Sequence, residues 1–349
     1  MKDAKYLAAY LLPLSAAVAL YFQGAWSWAT VVLAFVLIPV VEIFTPQSSV
    51  NVATEEEQRR SNLQFFDGLL YLNLPVVFAL VGAYLYVLTH KALSVSELLG
   101  LTLGVGIVLG ANGINVAHEL GHRSDRTARF CAKLLLLPSL YQHFFIEHNR
   151  GHHKHVATDK DPASARAGQI VYFFWFQSIT GSWRSAWRLE KERLLQEGKS
   201  VVSWGNEMIR FTIFQTLWLV VVGILLGPVG LVSALCIALI SILLLETINY
   251  VEHYGLRRRM LASGRPEPVL PIHSWNSDHE LGRIFLYELT RHSDHHFKAT
   301  RKYQILRHID ESPQLPYGYP TSIILALLPP LWFAVMHPRL KDTSAAMAF

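Results

Sequence analysis

Long apolar runs, separated by shorter polar segments, set the pattern of this chain of 349 residues. Six of these runs approach the roughly 20 residues that a helix needs to cross a hydrocarbon core of about 30 Å. We therefore predict an all-α, polytopic integral membrane protein that forms one domain, residues 1–349, with six transmembrane helices. The predicted transmembrane helices are residues 6–22, 28–44, 66–89, 98–117, 211–226 and 231–250.

Three further features refine the predicted topology. The apolar run at 323–336 is short and interrupted by Pro329 and Pro330, which favours a surface-lying or re-entrant helix over a seventh span. Glycines recur in LGVGIVLGANG, residues 103–113, where small residues either let helices pack closely or leave room for a long ligand. The first apolar run lacks a small-residue cleavage site, which predicts a retained span rather than a signal peptide.

The positive charges lie on one side of this topology. Lys91 is the only Lys or Arg in the turns after the first, third and fifth spans, whereas the insertions at 118–210 and 251–349 contain many. Because cytoplasmic loops carry an excess of Lys and Arg, we place both insertions and both chain termini in the cytoplasm. The net charge of +5 follows from this topology and does not indicate a nucleic-acid partner.

Nine of the sixteen histidines fall into four groups. The groups are HELGH, with His118 and His122; HNRGHH, with His148, His152 and His153; NYVEHYGL, with His253; and HSDHH, with His292, His295 and His296. None of these groups lies in the middle of a predicted span, so all four can meet at the cytoplasmic mouth of one helical bundle. The grouping predicts a joint metal site.

The spacing within the groups suits two metal ions. Residues i and i+4 of a helix share a face, so His118 and His122 can reach one metal, and so can His148 and His152. A directly following histidine, such as His153, points about 100° further around the helix and can serve a second metal. Imidazole suits Zn, Cu, Fe and Ni, and nine histidines exceed what one structural zinc ion needs.

Other polar residues near the groups have predicted supporting roles. Acids beside metal ligands typically orient imidazoles through the other ring nitrogen, and we assign this role to four of them. These acids are Glu119, Glu147, Glu252 and Asp294. In HSWNSDH, the residues His273, Asn276 and His279 are predicted to support the ligands or to face the substrate. The remaining single histidines are interpreted as surface or helix-end residues: His90, His143, His155, His308 and His337.

The histidine clusters resemble those of the membrane di-iron fatty acid desaturase and hydroxylase superfamily. Within it, NxxHELGHR, EHNRGHHKHVAT..DPASAR, NYVEHYGLxR and LxRHSDHHFxxxRxYQxLR are similar to the alkane 1-monooxygenases over residues 112–307. The chain departs from the usual pattern at Thr290, where glutamine is common. It also departs in VVEIFTPQSSVN, which keeps Glu42 but lacks the aspartates often found there, and this bears on chain-length preference.

The resemblance implies a cytoplasmic, histidine-rich di-iron domain in which the nine grouped histidines bind two non-haem irons. It implies that O2 is a co-substrate and that medium- or long-chain n-alkanes, taken from the bilayer, become 1-alkanols. It further implies electrons from NAD(P)H through a reductase and rubredoxin, and a location in the bacterial inner membrane.

The route of the electrons needs a second protein. The two cysteines, Cys131 and Cys236, form no CxxC pair, which disfavours a disulfide framework and leaves no rubredoxin-type iron site in this chain. A separate carrier must therefore deliver electrons. Arg257, Arg258 and Arg259 follow NYVEHYGL and form either part of a docking patch for an acidic carrier or an example of the positive charge of cytoplasmic loops.

Other reactions are compatible with the same histidines. Fatty-acid desaturation or decarboxylation and xylene-type methyl hydroxylation use related centres within the superfamily. A non-enzymatic metal-binding membrane protein, such as a transporter, would place polar ligands inside the membrane path. No grouped histidine lies in the middle of a predicted span, which argues against that alternative.

Overall fold

The structure, a computed structural model, describes residues 2–343 and confirms the all-α prediction. Within this range no β-strand occurs, and strand-like pairing is confined to isolated bridges such as Gln47 with His279. Five helices in the described range are long and apolar enough to cross a membrane, which makes the chain a multi-pass membrane protein. They are Asp3–Phe22, Gly24–Phe44, Gln64–His90, Val95–Gly121 and Glu207–His253. The predicted side of the two termini concerns Met1 and residues 344–349, which lie outside the described residues.

The fifth and sixth predicted spans are two halves of one long helical element. Glu207–His253 contains 47 residues, which corresponds to about 70 Å of helix, roughly twice the thickness of a hydrocarbon core. Gly227 interrupts the element with φ 66° and ψ −166°, at the predicted turn. Glycine adopts positive φ without the clash that a Cβ would cause. Residues 207–226 and 228–253 therefore correspond to the two predicted spans.

The C-terminal apolar run is bent, as its prolines predict. Tyr319–Ala326 and Pro329–Lys341 meet at an angle of 118°. Proline lacks a backbone N–H and is tolerated in the first turn of a helix, so Pro329 and Pro330 start a new helix instead of continuing the old one. The bend agrees with a re-entrant or surface-lying segment and not with a straight seventh span.

Short 3-10 and π segments divide several of the long elements. The helical segments within the long apolar elements are Lys2–Tyr10, Leu11–Phe22, Gly24–Trp28, Ala29–Val32, Leu33–Leu37, Ile38–Phe44, Gln64–His90, Val95–Val108, Leu109–Ile114, Asn115–Gly121 and Glu207–His253. The other helical segments are Thr54–Ser61, Arg126–Leu135, Phe144–Glu147, His148–His152, His153–His155, Val171–Gln196, Pro271–His273, Glu280–Phe285, His292–Phe297, Tyr303–Ile305, Tyr319–Ala326 and Pro329–Lys341.

The chain divides into two compact units. The first unit comprises the residues up to Leu37, Gln64–Ile146 and Ala186–Leu245. The second unit comprises Ile38–Leu63, Glu147–Ser185 and the chain from Glu246 onward.

Glycines allow close helix packing in the first unit. A Cβ added to Gly106 would lie 2.5 Å from Ile240 Cγ2, and one added to Gly110 would lie 2.8 Å from Leu244 Cδ2. Both distances are shorter than carbon atoms tolerate, so the space beside these glycines is already filled by side chains. Of the two roles that the sequence left open for residues 103–113, the structure supports close packing at these two positions.

Buried polar contacts organise the second unit. The guanidinium of Arg291 is buried and donates to the carbonyl oxygens of Leu306 at 2.7 Å, Val50 at 3.0 Å and Ser48 at 3.2 Å. A buried guanidinium needs acceptors because water does not reach it, and these three carbonyls supply them. Arg291 thereby fixes the loop around Val50 next to the start of the helix His292–Phe297.

Candidate metal centre

Four histidines of the second unit direct their Nε2 atoms to one point. The four-histidine group consists of His152, His253, His292 and His296, all buried, with ligand atoms within 4.8 Å of one another. The Nε2 atom of His292 lies 2.9 Å from that of His296 and 3.2 Å from that of His253, and His152 Nε2 lies 3.2 Å from His296 Nε2. Three separate chain segments, one ending at His152, one ending at His253 and the helix His292–Phe297, contribute these rings.

This geometry fits a metal ion. Nitrogens bound at about 2.0–2.1 Å are about 2.8–3.0 Å apart at octahedral angles and about 3.3–3.4 Å apart at tetrahedral angles. The observed separations of 2.9–3.2 Å between neighbouring Nε2 atoms match that spacing. Neutral imidazoles, each with one N–H, cannot all satisfy one another in such a cluster, whereas a cation accepts every lone pair at once.

Three more histidines of the second unit converge beside the first four. The three-histidine group consists of His148, His153 and His295, and His153 Nε2 lies 3.0 Å from His148 Nε2 and 3.1 Å from His295 Nε2. The two groups adjoin, since the rings of His153 and His296 stack with centroids 4.4 Å apart. Neighbouring histidines thus serve different groups: His152 and His153 diverge, and so do His295 and His296. The sequence predicted this division from the angle between successive helical residues.

One predicted pairing is wrong. We expected His148 and His152, four residues apart, to share a metal, but His148 lies with His153, and His152 belongs to the other group. The reason is the π turn His148–His152, in which His153 N–H bonds to the carbonyl of His148. Hydrogen bonds from residue i+5 to residue i put residues five apart on the same face. The helix around His292 and His296 has no such turn, and there the spacing of four holds.

His118 and His122 lie in the first unit. His118 is in the helix Asn115–Gly121 and His122 caps its C-terminal end, with ring centroids 5.0 Å apart, as the i, i+4 spacing predicts. The helix continues the span through the π segment Leu109–Ile114, so the histidines sit at the end of a continuous element rather than after it.

Asp161 orients one ligand, and sequence reasoning missed it. Its Oδ2 lies 3.0 Å from His152 Nδ1 and accepts a hydrogen bond from Ser164 Oγ at 2.5 Å. Burial alone would raise the pKa of Asp161, but the charge of His152 and the hydrogen bonds hold it below its usual value. When Nε2 binds a metal, this carboxylate would accept a hydrogen bond from the proton that remains on His152 Nδ1. The DPASAR segment that resembles the family contains this residue, which is the signal that could have identified it.

Glu252 lies at the metal-facing side of His292 instead of behind it. Its Oε2 is 3.2 Å from His292 Nε2, and its Oε1 accepts a hydrogen bond from Tyr319 at 2.8 Å. We expected Glu252 to orient an imidazole through the other ring nitrogen. The fully buried carboxyl group instead lies beside the nitrogen that would bind the metal, while Tyr319 donates to its other oxygen.

The other three acids have different surroundings. Asp294 binds Arg301 Nη1 at 2.5 and 2.6 Å and accepts the Arg307 N–H at 2.9 Å, so its predicted contact with an imidazole is replaced by arginines. Glu119 pairs with Arg123 at 2.7 Å. Burial, with a contribution from the charge of Asp161, raises the pKa of Glu147 to about 8. The negative charge beside His152 therefore resides on Asp161.

The HSWNSDH segment connects two ligand-bearing elements. Trp275 N–H donates to the carbonyl of Glu252 at 2.8 Å, and Asn276 Oδ1 accepts the Ser293 N–H at 2.8 Å. The first contact reaches the helix that ends at His253 and the second reaches the helix His292–Phe297. Asn276, which we predicted to support ligands or face the substrate, thus fixes the start of a ligand helix.

The two histidines of this segment have defined partners. His273 Nδ1 accepts the Leu270 N–H at 3.0 Å and its Nε2 contacts Glu267 at 3.1 Å, and burial lowers its pKa, so the ring is neutral. His279 contacts Ser277 Oγ at 2.9 Å and Gln47 at 3.3 Å.

Thr290, where the family pattern has glutamine, is buried and donates to the Ser277 carbonyl at 2.8 Å.

The three consecutive arginines differ in exposure. Arg257 is buried and donates to the carbonyl of Leu256 at 3.0 Å. Arg258 is half-buried and donates to the carbonyls of Glu267 at 2.6 Å and Lys154 at 3.0 Å. Arg259 is exposed. Among the single histidines, His143 directly precedes the helix Phe144–Glu147, which agrees with the predicted helix-end position. It is buried rather than exposed, and burial lowers its pKa to about 3.

The fold and the two histidine groups define a class: multi-pass membrane proteins with a histidine-rich metal centre. Residues 92–324 match the fatty acid desaturase family. The chain is 40% identical to alkane 1-monooxygenase 2 of Pseudomonas aeruginosa, over 92% of this chain and 85% of that protein. It is 37% identical to alkane 1-monooxygenase 2 of Alcanivorax borkumensis, over 98% and 91%. It is 29% identical to the hydroxylase component of a xylene/toluene monooxygenase of Pseudomonas putida, over 95% and 88%. The chain belongs to the alkane 1-monooxygenases of the fatty acid desaturase family.

Proposed function

We propose that the protein hydroxylates the terminal methyl group of medium- or long-chain n-alkanes, with O2 as co-substrate, at a centre of two non-haem irons. One observation carries the proposal: seven buried or half-buried histidine rings form two adjoining clusters whose Nε2 atoms have the spacing of metal ligands. Relatives at 37–40% identity are named alkane 1-monooxygenases, which supports the reaction type.

The nine grouped histidines are the proposed ligands. His152, His253, His292 and His296 would hold one iron. His148, His153 and His295 would hold the other, and we propose His118 and His122 as its remaining ligands, because HELGH belongs to the family pattern and places both rings on one face of a helix. A ligand set of imidazole nitrogens with few carboxylates suits iron but also zinc, copper and nickel. The identity of the bound metal must therefore be determined by metal analysis.

The surrounding residues set the geometry and charge of the centre. Asp161 holds the Nδ1 proton of His152 so that Nε2 points inward. Asn276 fixes the first turn of the helix that carries His292, His295 and His296. With a metal ion bound, Glu252, held by Tyr319, would ionise, and its negative charge would offset the buried cation. When bound, the two irons would supply the reduction of O2 and the oxidation of an unactivated C–H bond, which side chains alone cannot perform.

The membrane would supply the substrate. An n-alkane partitions into lipid because it is entirely apolar. Apolar helices make up most of the first unit, and the helix that carries His118 and His122 runs directly out of one of them. We propose that the alkane enters from the bilayer with one methyl group towards the histidines. On the basis of the Lys and Arg distribution, we further propose that the histidines face the cytoplasm across a bacterial inner membrane.

Each turnover needs two electrons from outside the chain, and we propose a reductase and rubredoxin, fed by NAD(P)H, as the source. The docking patch proposed from the sequence contains Arg257, Arg258 and Arg259. Their surroundings support a narrower patch, because Arg257 is buried against backbone carbonyls while Arg259 is exposed. Arg258 touches the carbonyl of Lys154, the residue after His153, which brings the patch close to the three-histidine group.

A second candidate function is methyl hydroxylation of an alkylbenzene. The relative named as a xylene/toluene monooxygenase component supports it, at 29% identity over nearly the whole chain. Both reactions insert oxygen into a methyl C–H bond, so the same metal centre serves either. The higher identity to alkane 1-monooxygenases favours the alkane.

The test is to purify the protein from cells without added metal and count iron and zinc. Rubredoxin, its reductase, NADH and O2 are then supplied with octane, dodecane, lauric acid or xylene, and the products are identified. We expect two irons per chain and 1-octanol or 1-dodecanol. Zinc alone without O2 uptake would overturn the proposal, and a benzylic alcohol as the dominant product would favour the second candidate.

A further inference from the structure

A tyrosine next to the four-histidine group makes an unusual pair with a histidine. Tyr254 directly follows His253 in the chain and is completely buried. Its phenolic oxygen accepts the Gly168 N–H at 2.8 Å and lies 2.8 Å from His337 Nε2. In the His337 tautomer that leaves Nε2 unprotonated, the phenolic hydrogen is donated to that nitrogen, because Gly168 donates to the phenolic oxygen and cannot accept. His337, a single histidine interpreted from the sequence as a surface or helix-end residue, is therefore placed to accept the proton of a buried phenol.

Aromatic rings surround this pair. The Tyr254 ring centroid lies 5.2 Å from that of Tyr250, 5.4 Å from Trp332 and 6.2 Å from Phe333. Phe333 in turn stacks on His337 at 5.0 Å. Tyrosine and tryptophan are among the side chains most easily oxidised by one electron. The cluster thus leads from the residue beside a proposed metal ligand to the half-buried His337.

We propose that Tyr254 is a redox-active residue that donates one electron towards the metal centre while its proton moves to His337. Removing an electron alone would leave a buried cation radical, which is costly in an apolar site. A base within hydrogen-bond reach removes that cost by taking the proton. The products are a neutral tyrosyl radical and a protonated His337. One electron from the external carrier, with return of the proton, restores the phenol.

The role of this pair is protection, and this part rests on the proposed function. When O2 is reduced at the centre with no alkane present, the O2-derived oxidant has no substrate methyl group to oxidise. Tyr254 then reduces that oxidant by one electron. Once the external carrier has restored the phenol, a second such step removes the remaining oxidising equivalent, and the histidine ligands are spared from oxidation. Tyr250 provides a matched comparison. It is equally buried and 5.2 Å from Tyr254, but its hydroxyl donates to the carbonyl of Gln169 at 2.6 Å, which is not a base that accepts the proton.

The experiment exposes the reduced, iron-loaded protein to O2 without alkane, freezes it within milliseconds and records electron paramagnetic resonance. Wild type and Tyr250→Phe should show a tyrosyl radical, and Tyr254→Phe should not. His337→Gln, which keeps the phenol but replaces the base by an amide, should lose most of the radical. Peptide mass spectrometry after repeated exposure should find more oxidised ligand histidines in Tyr254→Phe than in wild type.

O2 uptake, measured in the same samples, separates this inference from the proposed function. If O2 is consumed and the radical is absent from wild type, or present at equal yield in Tyr254→Phe, the inference is wrong. If neither the wild type nor any variant consumes O2, the proposed function is wrong, and the inference that rests on it is wrong with it. Thermal unfolding and iron content of each variant establish that lost signal reflects lost chemistry, and His337→Gln tests the idea even where Tyr254→Phe folds poorly.

Discussion

Different kinds of internal contact stabilise the two compact units of this chain. In the first unit, apolar helices approach closely at glycines, as where Gly106 meets Ile240. In the second unit, buried polar groups make directed hydrogen bonds around the histidines, as where Asp161 meets His152 and Arg291 meets backbone carbonyls. Apolar packing tolerates changes that keep volume, whereas a buried hydrogen-bonded network depends on individual atoms.

This contrast separates stability from chemistry. Changes of shape in the first unit, away from His118 and His122, should alter the free energy of unfolding while leaving the metal-binding atoms in place. Changes of a single polar atom in the second unit should alter metal binding or turnover. The four predictions below test that separation, from the largest expected effect on turnover to the smallest.

The largest effect is expected for His152→Ala. The change removes one nitrogen of the four-histidine group, whose Nε2 lies 3.2 Å from that of His296, and alkane hydroxylation should fall to background with loss of bound metal. His155→Ala is the matched control three residues away, outside both groups, and should retain activity. Product formation and iron content, measured side by side, check the prediction. An active His152→Ala or an inactive, well-folded His155→Ala would mean that the ligand register is wrong.

An intermediate effect is expected for Asp161→Asn. The amide keeps the size of the side chain but removes the charge beside His152 Nδ1, and loss of such a partner typically costs about 10–100-fold in metal affinity or activity. Competition with a chelator measures the affinity. Asp159→Asn, an exposed neighbour 3.5 Å from Arg166, is the control and should behave like wild type. Equal metal affinities for the two variants would show that Asp161 has no role in metal binding.

The sequence predicted the helices and the histidines better than their detailed pairing. Apolar runs predicted the spans, since burial in lipid demands them, and histidine clusters predicted the centre because so many imidazoles rarely coincide by accident. The pairing of His148 with His153 depends on a π turn, and the local pattern of residues does not predict that turn. Asp161 lies nine residues after His152 in the DPASAR segment, so the family motif could have indicated it although the spacing alone does not predict the contact. Tyr319 lies 67 residues after Glu252, and that contact follows from tertiary structure alone. The distinct surroundings of Arg257 and Arg259 likewise needed the fold.

A smaller effect is expected for the proposed docking patch. Changing Arg258 and Arg259 together to glutamate should raise the KM for rubredoxin at least about threefold at low salt, and less at high salt, because ions screen exposed charges. The kcat at saturating rubredoxin should stay near the wild-type value. The measurement is the rate of NADH-dependent hydroxylation against rubredoxin concentration at two salt concentrations.

Arg257→Gln is the comparison for that patch. Arg257 is buried and donates to the Leu256 carbonyl, so this change should lower the unfolding temperature and leave the KM for rubredoxin unchanged. An unchanged KM in the double glutamate variant, with normal expression, would assign these arginines to the charge bias of cytoplasmic loops. A KM effect in Arg257→Gln alone would contradict the distinction between buried and exposed arginines.

The smallest effect on turnover is expected in the first unit, for Gly106→Ala. The new methyl would lie 2.5 Å from Ile240 Cγ2, so the helices must shift, and such overpacking typically costs about 1–3 kcal/mol. Gly223→Ala is the control, because no atom lies within 4 Å of its added methyl and alanine favours a helix over glycine. Thermal unfolding in detergent should therefore separate the two variants while both retain iron and turnover. A loss of iron in Gly106→Ala at temperatures well below unfolding would show that packing in the first unit reaches the metal ligands, and the separation of stability from chemistry would fail.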